Sequence, residues 1–104
     1  RVTDVDGADS SGATALYWAC WKGERHVVAA LLEAGAEADR ADSDGFTPLM
    51  VAGYYGHSAV VQLLVDAGAN LHLKDATGST AQDWAALQGE DECAALASGR
   101  EAPR

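Results

Sequence analysis

The sequence repeats itself every 33 residues, and this period limits the chain to folds built from stacked, similar units. When the chain is aligned with itself at that shift, three residue types coincide in three copies: Asp9, Asp42 and Asp75; Gly12, Gly45 and Gly78; Thr14, Thr47 and Thr80. A period of about 20 to 50 residues is typical of repeat proteins, in which each unit buries its apolar face against its neighbours. We therefore expect one continuous stack of units.

Each unit predicts a turn followed by two helices. Its Asp-x-x-Gly segment suits a type I turn, and the threonine two residues later can cap a helix by accepting a hydrogen bond from a free backbone N–H. Pro48 follows Thr47 directly, where its fixed φ favours the first helical position. Glycines that can adopt a left-handed conformation are expected to end the helices: Gly23, Gly56 and Gly89 for the first helices, Gly35 and Gly68 for the second.

The apolar pattern divides the chain into repeats of unequal character. The first helix carries Leu16, Ala19 and Cys20 at i, i+3, i+4 spacing, so small side chains let neighbouring helices approach closely. In the third unit Gln82 replaces the core leucine, which is typical of a polar end repeat. We predict repeats over residues 9–41 and 42–74, a C-terminal capping repeat and tail over 75–104, and the tail of a trimmed upstream repeat over 1–8.

These motifs closely resemble the ankyrin repeat. The segment DSDGFTPL at residues 42–49 and the segment LLVDAGAN at 63–70 carry the resemblance, which spans residues 9 to about 99. It implies an all-α ankyrin-repeat solenoid of helix-turn-helix units with projecting β-turn tips. The histidine that follows Thr-Pro-Leu in this family is replaced by Tyr17, Met50 and Asp83, so the family's internal histidine hydrogen bonds are not expected here.

The charge and the apolar pattern exclude several classes of partner. The net charge is −9, from 16 acidic and 7 basic side chains, and such a surplus repels phosphate backbones. We therefore expect no nucleic acid, whereas a protein partner with a basic patch could exploit the acidic surface. No apolar run reaches the ~18 residues that span a bilayer, so no membrane partner is expected. Cys20 and Cys93 fit no metal or disulfide spacing, which favours an intracellular location, cytoplasmic or nuclear.

No catalytic constellation is present in the sequence. The glycines follow the structural period, and there is no phosphate-binding loop or nucleophile elbow. His26, His57 and His72 lie at different phases of the repeat, so surface or local structural roles are expected instead of shared metal ligation. Cys20 lies on the alanine-rich inner face, where a buried thiol serves as packing. We predict that the chain is not an enzyme, needs no cofactor or metal, and takes no small-molecule substrate.

The resemblance implies that binding residues lie on the turn tips and on the exposed side of the first helices. Mapped onto this chain, the predicted partner-binding residues are Trp21, Lys22, Ser43, Asp44, Phe46, Tyr54, Tyr55, Leu87 and Gln88. The four aromatic residues among them could form a strip of interface anchors, and Asp44 favours a basic contact. The alternative for the tyrosines is that they only shield the helix ends. Trp18 and Trp84 share a phase with Val51, which predicts packing between adjacent repeats.

Two functions stay open at this point. The first is a protein-protein interaction module that binds a peptide or folded protein through its concave face and turn tips. The second is a structural or regulatory repeat segment that docks within a larger parent protein.

Overall fold

Three helix pairs follow one another along the chain. The structure is a computed structural model that describes residues 10, 12 and 14–98, so the predicted upstream tail at 1–8 lies outside the described residues. The helices are α1 (Ala15–Lys22), α2 (Arg25–Glu33), α3 (Pro48–Tyr54), α4 (Ser58–Asp66), α5 (Ala81–Leu87) and α6 (Asp91–Ala97). Within the described part of the chain there are no strands, which confirms the all-α prediction.

The helices form two rows. The first helices of the pairs contact one another in the order α1, α3, α5, and the second helices contact one another in the order α2, α4, α6. Each first helix also contacts its own second helix. A unit therefore packs both within itself and against the next unit, as a solenoid requires.

Each helix pair begins at the predicted threonine cap. The threonine hydroxyl accepts a bond from a backbone N–H three residues later: from Tyr17 N to Thr14 (3.2 Å), Met50 N to Thr47 (3.2 Å) and Asp83 N to Thr80 (3.3 Å). In two pairs the side chain at the third helical position also accepts from the threonine N–H: Met50 Sδ at 3.4 Å and Asp83 Oδ2 at 3.0 Å. Two of the residues that replace the family's histidine thus complete a capping box.

The glycines predicted to end the helices have the expected conformation. Their φ values lie between 75° and 94° at Gly23, Gly35, Gly56, Gly68 and Gly89. A different glycine, Gly53, lies inside α3, where a side-chain carbon would be only 3.3 Å from Ala85 Cβ of α5. Close packing between the first helices therefore accounts for a glycine in a helix interior.

The turns between the pairs also touch each other. In the second and third turns the glycine N–H donates to the aspartate carbonyl, from Gly45 to Asp42 and from Gly78 to Asp75, both at 3.0 Å. Ala76 N donates to Asp44 O at 3.1 Å, which links these two turns. Asp9 of the first turn lies outside the described residues. The second and third turns therefore lie against each other.

Substitution of Gly45 should measure this contact between turns. Gly45 has φ 85°, and a side-chain carbon there would lie 3.1 Å from Asp75 Cα, whereas Gly78 has φ 86° with nothing within 4 Å. Gly78→Ala should cost about 1 kcal/mol of unfolding free energy because of its positive φ, and Gly45→Ala about 2 kcal/mol because the backbone of the next turn must also move. Urea unfolding of both variants checks this, and equal losses would contradict it.

The core lies between the two rows of helices. Its fully buried side chains include Leu16, Val28 and Leu64, and it also encloses Cys20 and Cys93. Burial raises the pKa of the Cys20 thiol to about 12 and, with help from Glu90 and Glu92, that of Cys93 to about 11. Both thiols are therefore protonated and unreactive at neutral pH, and the interpretation of Cys20 as buried packing is confirmed.

Candidate partner-binding groove

All the tryptophan, tyrosine and phenylalanine side chains of the chain line one groove. The chain contains three Trp, three Tyr and one Phe. The groove has a volume of about 410 Å³ and is lined by Tyr17, Trp18, Trp21, Phe46, Met50, Val51, Tyr54, Tyr55 and Trp84. Aromatic residues are ordinarily used to fill cores, so their concentration at one surface site marks this groove as the candidate functional site.

The groove lies along the row of first helices. Tyr17, Trp18 and Trp21 of α1 follow i, i+1, i+4 spacing, which places them on one helical face. One repeat later the same three positions hold Met50, Val51 and Tyr54 of α3, which line the same groove. The equivalent faces of α1 and α3 therefore both line the groove. They are adjacent because α1 packs against α3.

The aromatic rings are in contact from one end of the groove to the other. Successive ring pairs have centroids 4.9 to 6.2 Å apart and interplanar angles of 69° to 84°. The order of the rings is Tyr17, Trp18, Trp21, Tyr55, Tyr54, Trp84, Phe46. Edge-to-face contacts of this kind stabilise each ring pair by about 0.5–1.5 kcal/mol beyond its buried area. The rings hold one another in place, which makes the groove wall stiff.

Two rings near opposite ends of this series, Tyr17 and Trp84, donate hydrogen bonds to aspartates of the turns. Tyr17 donates a hydrogen bond to Asp42; burial first, then this bond and the nearby negative charge, raise the pKa of the Tyr17 hydroxyl above its usual range. At the other end Trp84 Nε1 donates to Asp75 Oδ2 at 2.7 Å. The turns thus hold Tyr17 and Trp84 in the groove wall through charge-assisted hydrogen bonds.

The Asp75 carboxylate is the more heavily bonded of the two. It is only 7% exposed, and its Oδ1 accepts from Thr77 N at 2.8 Å, Thr77 Oγ1 at 2.6 Å and Ser79 N at 3.1 Å. Burial alone would raise the pKa of Asp75, but these bonds and the one from Trp84 outweigh it and lower the pKa below its usual value. Asp75 is therefore ionised at neutral pH.

His57 contacts two residues of the groove, Trp21 and Tyr55. Its Nε2 donates to the backbone carbonyl of Trp21 at 3.0 Å, and its ring stacks on Tyr55 with centroids 6.4 Å apart. This hydrogen bond joins two repeats, since Trp21 lies in α1 of the first pair and His57 immediately precedes α4 of the second pair. The expected local structural role of His57 is confirmed.

The structure brings together four of the nine predicted partner-binding residues. Trp21, Phe46, Tyr54 and Tyr55 line the groove. The other five are exposed at its margins or beyond and do not line it: Lys22, Ser43, Asp44, Leu87 and Gln88. Leu87 is the most exposed of these, at 70%.

Five residues of the groove were not predicted from the sequence: Tyr17, Trp18, Met50, Val51 and Trp84. Trp84 does contact Phe46 and Tyr54 of the preceding repeat, as predicted, but its ring also forms the groove wall. Trp18 is 40% exposed beside Trp21, so the interpretation of Trp18 as packing between repeats was too narrow. Tyr17 and Trp18 lie on one helical face with Trp21, and Met50 and Val51 lie on the equivalent face with Tyr54; this i, i+1, i+4 spacing was the available signal.

The described residues hold neither a candidate metal site nor a candidate membrane-spanning helix. No group of three or more His, Cys, Asp or Glu side chains there could hold a metal ion. Likewise, no helix in that part of the chain is long and apolar enough to cross a membrane.

The chain matches the model of a known family. The family model described as ankyrin repeats (3 copies) matches in two overlapping segments, residues 2–75 and 38–101. No curated protein matches the chain. The family match covers nearly the whole chain and all the groove residues.

Proposed function

The chain belongs to the ankyrin repeat family, a non-enzymatic fold of protein-protein interaction modules, and we propose from this premise that it binds a protein partner through its aromatic groove. A single observation carries the proposal. All seven aromatic side chains line the groove, although Trp18, Trp21 and Tyr55 stay 40%, 39% and 49% exposed there. Exposed aromatic surface of this size is costly in water, and covering it with a partner removes that cost.

The rings have the properties of interface anchors. Trp and Tyr are enriched among the residues that dominate binding energies, and rigid side chains lose little conformational entropy when a partner binds. Here Trp21 is held between Trp18 and Tyr55 by edge-to-face contacts. The side chains of the groove are therefore already held in position before a partner binds.

The margins of the groove supply the remaining residues of the proposed interface, four of them polar. Ser43 and Asp44 lie exposed on the second turn, next to Phe46 of the groove. Lys22, Leu87 and Gln88 are exposed at the ends of α1 and α5. We assign these five residues to a rim that contacts the partner outside the groove, with Asp44 facing a basic group.

Two further assignments belong to the same proposal. The repeat boundaries are placed at residues 9–41, 42–74 and 75–104, the last being a polar capping repeat in which Gln82 is exposed. The two buried, free thiols, Cys20 and Cys93, suit a reducing compartment, so the site of action is intracellular.

Truncation of Trp21 tests the proposal. Trp21→Ala should weaken partner binding by about 2 kcal/mol, or roughly 30-fold, because it removes a central anchor, while the melting temperature changes by only a few degrees because the side chain is 39% exposed. A partner is first captured from cell extract and identified, and its dissociation constant is then measured with purified proteins.

Val27→Ala is the matched control. Val27 is 44% exposed on α2, outside the groove, so its truncation removes apolar surface of similar exposure and should leave affinity unchanged. The proposal would be overturned if the wild type, Trp21→Ala and Val27→Ala bound the partner with equal affinity, or if Trp21→Ala did not fold. Capture of only the remainder of the chain's own parent protein would instead assign the repeats to an internal docking role.

A further inference from the structure

The groove walls are suited to a cation. An alkylammonium group within about 6 Å of an aromatic ring centroid is attracted by the electrons of the ring face, most strongly by those of tryptophan. Three of the seven rings that line the groove are tryptophan, and two of these, Trp18 and Trp21, stay 40% and 39% exposed. Neighbouring rings are nearly perpendicular, so the exposed parts of their faces point in different directions.

The charges around the groove favour a cation as well. The second and third turns and the first helices α1, α3 and α5 carry four carboxylates, those of Asp42, Asp44, Asp75 and Asp83, against the one ammonium of Lys22. Two of these carboxylates accept hydrogen bonds directly from rings of the groove, those of Tyr17 and Trp84. A phenol or indole that donates to a carboxylate becomes more electron-rich, which strengthens its attraction for a cation.

The two carboxylates bonded to the rings, those of Asp42 and Asp75, have little capacity left for accepting further hydrogen bonds. Asp75 already accepts three bonds at Oδ1 and one at Oδ2. Asp42 Oδ1 accepts from Asp44 N at 2.9 Å and Phe46 N at 3.0 Å, and its carboxylate also accepts from Tyr17. These groups therefore offer negative charge but few free acceptor positions.

This combination selects among cationic side chains. An unmodified lysine carries three N–H donors and an arginine carries five, and each donor that leaves water without finding an acceptor lowers affinity. A trimethylated lysine has the same positive charge and no N–H donor at all. Its methyl groups instead match the apolar floor formed by Met50 and Val51.

Resting on the proposed function, we propose that the side chain which enters the groove is a trimethylated lysine of the partner protein. The aromatic rings would surround its quaternary ammonium, and Asp42 and Asp75 would act on it through their charge. The rim residues would contact the partner's backbone and neighbouring side chains. The module would then distinguish the methylated partner from the unmodified one.

Three short peptides test this proposal by titration, with tryptophan fluorescence as the readout. The first is Gly-Ala-Lys-Ala-Gly with a trimethylated lysine, the second has unmodified lysine, and the third carries the neutral isostere with carbon in place of the quaternary nitrogen. We expect the trimethylated peptide to bind at least ten-fold more tightly than either of the others. Equal binding of the neutral isostere, stronger binding of unmodified lysine, or no binding of the trimethylated peptide would each overturn the proposal. Choline is a fourth ligand, and binding as tight as that of the trimethylated peptide would overturn the assignment to a protein side chain.

Two substitutions of Trp21 test whether the aromatic electrons of its ring or only its size determine the affinity. Trp21→Leu should weaken the trimethylated peptide about ten-fold and the neutral isostere by clearly less, whereas Trp21→Phe should have a smaller effect on the trimethylated peptide because a ring remains. Val27→Ala should change neither affinity, and melting temperatures establish that all variants fold. If no peptide discriminates but Trp21→Ala still weakens the captured partner, this inference fails and the proposed function stands. If neither binding responds to the substitutions at Trp21, both fail.

Discussion

Replacement of Leu64 by alanine should lower the free energy of unfolding by about 4 kcal/mol, the largest loss that we expect from a single core substitution. Leu64 is fully buried in α4, and α4 contacts α2, α3 and α6. The cavity therefore opens where all three helix pairs meet. For a chain of this size the melting temperature should fall by on the order of 20 °C, which thermal and urea unfolding would measure.

Leu31→Ala is the control for this prediction. Leu31 occupies the same position one repeat earlier, in α2, but it is only half-buried. The substitution is chemically identical, so the difference between the two variants reports burial alone. Leu31→Ala should cost less than half as much as Leu64→Ala, and similar losses would show that the repeats do not stack as described.

The sequence could predict the helices because their signals are local. A threonine cap, as at Thr47, acts on a backbone N–H three residues away, and Gly56 ends its helix by its own φ. Such signals lie within one unit and recur in each unit at the same place. The period therefore predicts the helices, the caps and the faces that pack together.

Burial at equivalent positions could not be predicted in the same way. Trp18, Val51 and Trp84 share one phase, yet Val51 is 8% exposed, Trp18 is 40% exposed and Trp84 is half-buried. Val51 lies on the central first helix with a neighbouring helix on each side, whereas Trp18 lies on α1, which contacts α3 on one side. The period identifies a face of the helix, but the position of the unit in the stack decides how much of that face is covered.

The groove was only partly predictable for a related reason. The sequence gives the helical face of Trp21 and Tyr54, but not the side-chain directions that join the rings of α1, α3 and α5 into one series. Tyr17 illustrates the difficulty, since it occupies the position of a histidine in related repeats and instead reaches Asp42 of the following turn. Contacts between repeats depend on side-chain conformations, for which the period carries no signal.

Loss of the charge on Asp75 should cost about 3 kcal/mol at neutral pH. Asp75→Asn keeps the size of the side chain, but a neutral amide cannot accept from both Trp84 Nε1 and the Thr77 and Ser79 donors, since one of its two polar atoms is itself a donor. Hydrogen bonds to a charged group stabilise by about 1.5–3 kcal/mol, and a donor left unpaired adds a desolvation cost. Urea unfolding at pH 7 measures the loss.

The pH dependence identifies the charge as the cause. Since the folded protein lowers the pKa of Asp75, this carboxylate stabilises the fold above its unfolded pKa of about 3.9, and that contribution disappears as the pH falls through the lower folded pKa. The difference in unfolding free energy between the wild type and Asp75→Asn should therefore be constant near neutrality and shrink in acid. A difference that does not change with pH would show that shape, not charge, is responsible.

A double-mutant cycle with Trp84→Phe connects this carboxylate to the groove. Phenylalanine keeps a ring in the wall but removes the Nε1–H that donates to Asp75. If the two groups stabilise each other, Asp75→Asn should cost at least 1 kcal/mol less in the Trp84→Phe background than in the wild type. Additive losses would contradict the coupling. The coupling matters for binding because the Asp75 carboxylate both holds Trp84 in the wall and contributes to the negative potential of the groove. Neutralising Asp75 should therefore weaken the positioning of Trp84 and the negative potential together.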